Sequence, residues 1–249
     1  MSAKLYIFAI SHYCEKARWA LDYLQIDYEL VFLAPGLHIA TARKFGLKAS
    51  SVPFLDTGQE IIQGSAKIID WAEEYSRSDY TLIPGDSEET SREIEKRLDK
   101  VSGVHVRRMF YSEALVEHSS TVKVIFTKDL PTLQKFSISV VWPFIRKLMI
   151  KAMDLGREQG EESQKIIDNE LRWLDSLLAD GRPYLVGEQF SRADLTACAL
   201  YARTARPKEH PAAASMLAPP RLAQTQSEWD SRPSLKWIRK TYSQDRHHE

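Results

Sequence analysis

The chain has 249 residues, of which 43% are hydrophobic and 27% are charged, a balance typical of globular proteins. Lys and Arg together number 34 and so do Asp and Glu, and this zero net charge gives no electrostatic case for nucleic acid or an anionic membrane as partner. The length favours two packed domains. With no secretory leader before the first strand, the two cysteines Cys14 and Cys198 argue against a disulfide scaffold or a zinc site, and we expect a cytoplasmic protein.

The first third of the chain alternates strand and helix patterns. Apolar runs at 4–9 and 27–33 predict two strands, and the helical spacing of apolar residues from Cys14 to Leu24 predicts a helix between them. This β-α-β order implies a parallel strand pair with a right-handed crossover. A second helix is expected at 39–45, ending before Gly46 in the left-handed conformation that glycine favours.

In the next segment the apolar residues no longer follow a helical spacing. The sequence "VPFLDTGQEII" predicts an antiparallel hairpin around Thr57 and Gly58. Ser65 is expected to cap a third helix. The apolar positions of that helix are predicted to face inward: Ile68, Ile69, Ala72 and Tyr75. Residues 1–78 are therefore predicted to form a compact α/β sandwich of the thioredoxin type.

The rest of the chain has almost no strand signal. A polar segment with proline and glycine predicts a linker at 79–87, and helical patterns follow over 88–117 and 167–178. "FSRADL" predicts a capping box in which Ser191 and Asp194 begin another helix. Residues 88–249 are accordingly predicted to form an all-helical domain.

Three later segments of this domain carry separate expectations. The apolar run 136–155 contains three basic residues, too many for a bilayer span, and is predicted to be a buried amphipathic helix. The Pro- and Ala-rich run 210–226 is predicted to be a loop before a last helix around 235–242. The final "DRHHE" is predicted to be an exposed tail.

Four motifs occur in order along the chain: "SHYCEKARWAL", "SVPFL", "GSAKIIDWA" and "YLVGEQFSRADL". Together they resemble the first-helix signature, the Val-Pro turn, the Ser-led third helix and the capping-box helix of the glutathione transferase superfamily. The resemblance covers most of the chain. It implies a thioredoxin-like domain followed by a helical one, glutathione as co-substrate without a metal, and a two-fold homodimer.

Ser11 falls where serine-type members of that superfamily carry their catalytic hydroxyl. The free N–H groups and dipole of a helix N-terminus favour a thiolate there, and a hydroxyl can donate a hydrogen bond to its sulfur. The resemblance therefore implies that Ser11 activates bound glutathione, with simple helix capping as the alternative. Cys14 lies on the apolar face of the predicted first helix and is predicted to be structural. Redox chemistry is the alternative, although the Ser-x-x-Cys pattern lacks the first, attacking cysteine of a thioredoxin-like site.

The resemblance implies further contacts with glutathione. Pro53 is expected to follow a cis bond that turns the Val52 backbone toward the tripeptide, with an ordinary turn proline as the alternative. Ser65 is expected to bind the γ-glutamyl carboxylate at the start of its helix. The residue before that serine is usually acidic or Gln in the family, whereas here it is Gly64, with Gln63 one position earlier. This departure predicts that glutathione binds weakly, is held differently or is not the ligand.

The second-substrate pocket is expected to involve His12, Arg108 and Tyr111. Arg108 and Tyr111 are three residues apart on one helix face and could offer a cation and a phenol to a leaving group, or form a solvated basic face. His12 lies beside Ser11 and lines the pocket mouth or is exposed.

The leading hypothesis is a glutathione transferase that conjugates the thiolate to a small hydrophobic electrophile. A non-enzymatic binding or scaffold protein of the same fold is the alternative, motivated by Gly64 and the long segment 131–160. A glutathione-dependent thiol oxidoreductase is the third choice.

Overall fold

The computed structural model describes residues 3–85, 88–128, 130–216 and 218–246. Its N-terminal part is a βαβαββα unit, as predicted for the thioredoxin type. Its elements are β1 (Ala3–Ile7), α1 (His12–Tyr23), β2 (Tyr28–Phe32), α2 (Leu37–Lys44), β3 (Phe54–Asp56), β4 (Ile61–Gln63) and α3 (Ser65–Tyr75). The strand order is β2-β1-β3-β4, with β1 parallel to β2 and the other pairs antiparallel. The predicted parallel pair and hairpin are both confirmed.

Helix α3 departs from the prediction at both ends. Gly64, with φ at +105°, is the N-cap, and Ser65 is the first helical residue instead of the cap. At the other end Tyr75 is 52% exposed and does not face inward. Its ring stacks on that of Trp71, with ring centroids 5.1 Å apart. The inner face is as predicted, since Ile68, Ile69 and Ala72 are fully buried.

The rest of the chain is all-helical, as predicted. Its helices are α4 (Glu88–Arg97), α5 (Gly103–Ala114), α6 (Ser119–Thr127), α7 (Thr132–Ala152), α8 (Arg157–Leu177), α9 (Arg192–Ala205), α10 (Pro220–Trp229) and α11 (Pro233–Asp245). One π-helical segment, Leu98–Ser102, joins α4 to α5. None of the helices in the described parts of the chain combines the length and apolar character needed to cross a bilayer.

Helix α7 was predicted to be buried, and this prediction is wrong for one of its faces. Only Ile138, Trp142 and Ile145 are buried. Large apolar side chains stand exposed on the opposite face: Leu133, Phe136, Val140, Val141, Phe144 and Leu148. Periodicity could not separate the two faces, because both are apolar.

The C-terminal predictions need two corrections. Helix α10 occupies the end of the predicted loop, since proline is tolerated in a first helical turn, and Glu113 accepts hydrogen bonds from the Arg221 and Leu222 N–H groups there. Arg246 is not in an exposed tail: it is 97% buried and pairs with Glu15 at 2.9 Å. Residues 247–249 lie outside the described residues.

A buried polar network joins the thioredoxin-like part to the helices. The Lys16 ammonium on α1 pairs with Glu95 at 2.8 Å and with Asp99 at 2.7 Å. Arg192 on α9 pairs with the same Glu95 at 2.6 Å and with Asp70 of α3 at 2.7 Å. Lys16 and Arg192 are almost completely buried, so each charge depends on these partners.

The predicted capping box is present, and its carboxylate serves two segments. Asp194 accepts hydrogen bonds from the N–H and hydroxyl of Ser191, at 2.9 and 2.5 Å, and from the Leu185 N–H at 2.6 Å. Burial raises the pKa of Asp194 to about 7. The carboxylate therefore fixes the start of α9 and the loop before it.

Asp194→Asn is expected to lower the free energy of unfolding by about 1–3 kcal/mol at pH 8, because an amide NH₂ then meets N–H and O–H donors. Urea unfolding measures the change. Asp180→Asn, at an exposed ion pair with Arg182, is the control and should unfold near the wild-type midpoint. Equal midpoints for Asp194→Asn and wild type would contradict this role.

Candidate active site

A cavity of about 180 Å³ lies between the thioredoxin-like part and the helices. The N-terminal part contributes residues from the β1–α1 turn and from the segment before β3, and the helical part contributes residues from α5, α6, α7 and α9. Its principal lining residues are Phe8, Ser11, His12, Val52, Arg107, Phe110, Tyr111, Phe126 and Arg203. A ring-shaped ligand fits a space of this size, since ~150 Å³ is enough for benzene.

Ser11 lies where the β1–α1 turn becomes helical. It is the N-cap of α1, with extended backbone angles (φ −83°, ψ 122°), and its Oγ accepts a hydrogen bond from the Cys14 N–H at 3.4 Å. The same residue lines the cavity. The predicted helix cap is therefore present, and activation of a bound thiol by the same serine stays a prediction.

Cys14 lies one helical turn further along α1 and faces the core. Its side chain is 1% exposed, and burial raises the pKa of its thiol to about 12. The thiol is therefore protonated at neutral pH, and the prediction that Cys14 is buried is confirmed, whereas its structural role stays a prediction.

The segment before β3 is held by backbone and side-chain hydrogen bonds. The Val52–Pro53 bond is cis, as the resemblance implied, and the Pro53 carbonyl accepts a hydrogen bond from the Gly64 N–H at 3.0 Å. The Gln63 amide donates to the carbonyls of Ala49 at 2.9 Å and Ser51 at 2.7 Å. Gln63 thus positions the chain leading to Val52, which its place in the sequence did not reveal.

Gly64 and Ser65 form the junction between β4 and α3. Ser65 begins the helix and is buried, so its hydroxyl and the free N–H groups of the first turn lie together. Gly64 has a positive φ that other residues adopt only with strain. A glycine therefore suits the backbone here, and it supplies no side-chain acceptor in front of Ser65.

The structure brings two of the three predicted pocket residues to the cavity. His12 and Tyr111 line it, but Arg108 does not, because its guanidinium pairs with Asp154 at 2.6 Å and Glu162 at 3.0 Å. Its neighbour Arg107, four residues before Tyr111, lines the cavity instead. Spacings of three and four residues both place side chains on one helix face, so the sequence could not choose between the two arginines.

Arg203 on α9 is a lining residue that sequence reasoning missed, since it lies near the end of a fully buried helix, far beyond the capping box that begins it. Desolvation, followed by the charges of Arg107 and Arg203, lowers the pKa of His12 to about 3. Burial raises the pKa of Tyr111 to about 12. At neutral pH the cavity therefore contains the neutral His12 imidazole, the protonated Tyr111 phenol and the guanidinium groups of Arg107 and Arg203, and Tyr13 and His210 also line it.

One sequence family and several solved structures are similar to this chain. Residues 5–78 match the family described as glutathione S-transferase, N-terminal domain. No curated protein sequence matches the chain.

Solved glutathione transferases are similar over the full length. One from Phanerochaete chrysosporium is 12% identical, with a TM-score of 0.68 over 100% of this chain and 98% of that one. One from Xanthobacter autotrophicus is 18% identical, with a TM-score of 0.61 over 97% and 93%. The beta-etherase LigF from Sphingobium is 19% identical, with a TM-score of 0.59 over 97% and 100%.

Proposed function

We propose, since the chain belongs to the glutathione S-transferase superfamily, that it is a glutathione transferase joining the glutathione thiolate to a small electrophile. In this proposal residues 1–78 bind glutathione, 79–87 are a linker, and 88–249 bind the second substrate. The observation that carries the proposal is the position of Ser11, which caps the N-terminus of α1 and lines the cavity between the two parts.

Glutathione is proposed to bind along the segment that precedes β3 and at the start of α3. The Val52 backbone, held by Gln63 through the preceding segment, pairs with the cysteinyl residue as an added strand does. The Ser65 hydroxyl and the first-turn N–H groups of α3 receive the γ-glutamyl carboxylate. The glutathione sulfur then lies near Ser11, where the positive end of α1 favours its thiolate.

The proposed reaction is a nucleophilic substitution or addition. The thiol proton leaves to solvent, the sulfur lone pair forms a bond to an electrophilic carbon, and a leaving group departs with its bonding electrons. The Ser11 hydroxyl donates a hydrogen bond to the thiolate, and the Tyr111 phenol can donate one to the leaving group, because its raised pKa keeps it protonated. The buried Cys14 thiol supports transfer over thiol–disulfide exchange, which requires an accessible thiolate.

Calorimetric titration with glutathione at neutral pH tests this site. Wild type is expected to bind with a Kd near millimolar or tighter, and Ser65→Ala is expected to bind at least threefold more weakly, because the carboxylate loses a donor. Ser243→Ala, whose exposed hydroxyl bonds to the Lys240 carbonyl on α11, is the matched control and should bind as wild type does.

Glutathione-dependent conjugation of an electrophile completes the test. Binding without any conjugation across an electrophile panel would favour the non-enzymatic binding or scaffold protein, which the missing acceptor at Gly64 also allows. Absence of binding by wild type would contradict the glutathione site itself. A cytoplasmic location, a homodimer and a role in detoxification belong to the same proposal, and sedimentation of the purified protein tests the dimer.

A further inference from the structure

The cavity carries two positive charges and no negative one. Arg107 of α5 and Arg203 of α9 both line it, and no Asp or Glu is among the lining residues. A pocket that accepted only neutral, apolar molecules would have no use for this charge pair.

Arg203 differs from the other strongly buried cations of the described chain. Lys16, Arg192 and Arg246 are each at least 97% buried, and each contacts carboxylates within 3 Å. Arg203 is 92% buried, yet no carboxylate pairs with it among the described residues. Its guanidinium lies over the Phe110 ring, with 4.0 Å between its central carbon and the ring centroid.

The ring contact leaves part of the guanidinium unsatisfied. The Nη1 atom of Arg203 is buried and has no hydrogen-bond partner in the described structure, and the same holds for Nε of Arg107. A buried cation without a partner is costly, and proteins otherwise satisfy such groups. These two atoms are themselves closed to solvent, so a ligand anion would approach the two guanidinium groups where they line the cavity, and it would offset the cost of their incomplete pairing.

We propose that the second substrate is a small aromatic anion, of the aromatic carboxylate class, whose carboxylate pairs with Arg203 and Arg107. Calling this ligand a substrate rests on the proposed transferase function. The anion-binding site itself is argued from Arg107 and Arg203 alone. Phe8, Phe110 and Phe126 supply ring surfaces around the cavity, and Arg with a carboxylate forms a strong, directional pair. The small hydrophobic electrophile expected from the sequence is therefore proposed to carry an acidic group as well.

A suitable electrophile is 4-chloro-3-nitrobenzoate. The glutathione sulfur forms a bond to the carbon bearing chlorine, the C–Cl bond breaks, and chloride leaves with the bonding electrons. The carboxylate is unchanged and serves only to hold the ring against the arginines. The amide 4-chloro-3-nitrobenzamide has the same leaving group without the charge.

The decisive measurement is calorimetry without glutathione, with benzoate and benzamide as probes of equal shape. Benzoate is expected to bind wild type at least tenfold more tightly than benzamide, and Arg203→Met and Arg107→Met should each reduce this preference at least fivefold. Arg108→Met is the matched control: it removes a neighbouring guanidinium that pairs with Asp154 and Glu162 outside the cavity, and it should keep the preference.

Arg107→Met keeps the test valid if Arg203→Met fails to fold, since Arg107 is only half-buried. Equal affinity for benzoate and benzamide would overturn the proposal.

A last titration separates this site from the glutathione site. When the benzoate and benzamide titrations are repeated with saturating S-methylglutathione, we expect wild type to keep its preference for benzoate. Loss of the preference under that condition would show that the arginines serve the glutathione carboxylates, and the proposal would be wrong. Because the first titration contains no glutathione, failure of the transferase function leaves its outcome unaffected.

Discussion

Lys16→Met is expected to lower the free energy of unfolding by about 3–5 kcal/mol, the range found when one partner of a buried ion pair is removed. The variant leaves the Glu95 and Asp99 carboxylates side by side with only Arg192 to compensate them. Because α1 joins the helical part through these groups, the whole chain should unfold at lower denaturant. Urea unfolding followed by circular dichroism measures the effect.

Two further variants make the result specific. Lys4→Met removes the exposed pair with Glu29 and should leave the unfolding midpoint almost unchanged. The double variant Lys16→Met/Asp99→Asn should recover part of the loss, since it also removes an uncompensated carboxylate. A Lys16→Met protein as stable as Lys4→Met would refute the importance of the network.

Ser11→Ala is expected to reduce glutathione-conjugating turnover at least tenfold, equivalent to about 1.4 kcal/mol of transition-state stabilisation. The variant keeps the positive end of α1 but removes the hydroxyl donor to the thiolate. Its melting temperature should fall by only about 2–4 °C, because the cap it loses is a single long hydrogen bond of 3.4 Å. Steady-state kinetics and thermal unfolding measure the two effects separately.

Ser11→Thr is the matched variant, because threonine retains both the hydroxyl and the ability to cap a helix. It should preserve more activity than Ser11→Ala at similar stability. The thiolate absorbance of bound glutathione should also titrate at higher pH in Ser11→Ala than in wild type. Equal turnover in Ser11→Ala and wild type would leave helix capping as the only role of this serine.

The features that the sequence predicted well are those with local causes. The capping box at Ser191 and Asp194 follows from residues three positions apart, and the β3–β4 hairpin follows from a turn at Thr57 and Gly58. The position of Ser11 at the start of α1 has the same local origin.

The features that were missed depend on distant partners. Helix α10 is stabilised through Glu113, more than a hundred residues earlier, so the prolines alone suggested a loop. Arg203 lies beside the cavity because α9 packs against α1 and α5, which contribute other lining residues, and no spacing in its own segment shows this. Sequence periodicity identified the helices but could not show which neighbours would cover each face.

The pairing of Arg246 with Glu15 also sets the order of events when the protein is made. The two residues are 231 positions apart, so α1 cannot complete its ion pairs until the chain has been synthesised as far as Arg246. Because translation adds about 5–20 residues per second, the carboxylate of Glu15 waits roughly 12–46 s for its partner. The helix that carries Ser11 at its start therefore completes its ion pairs only after every segment between Glu15 and Arg246 has been made.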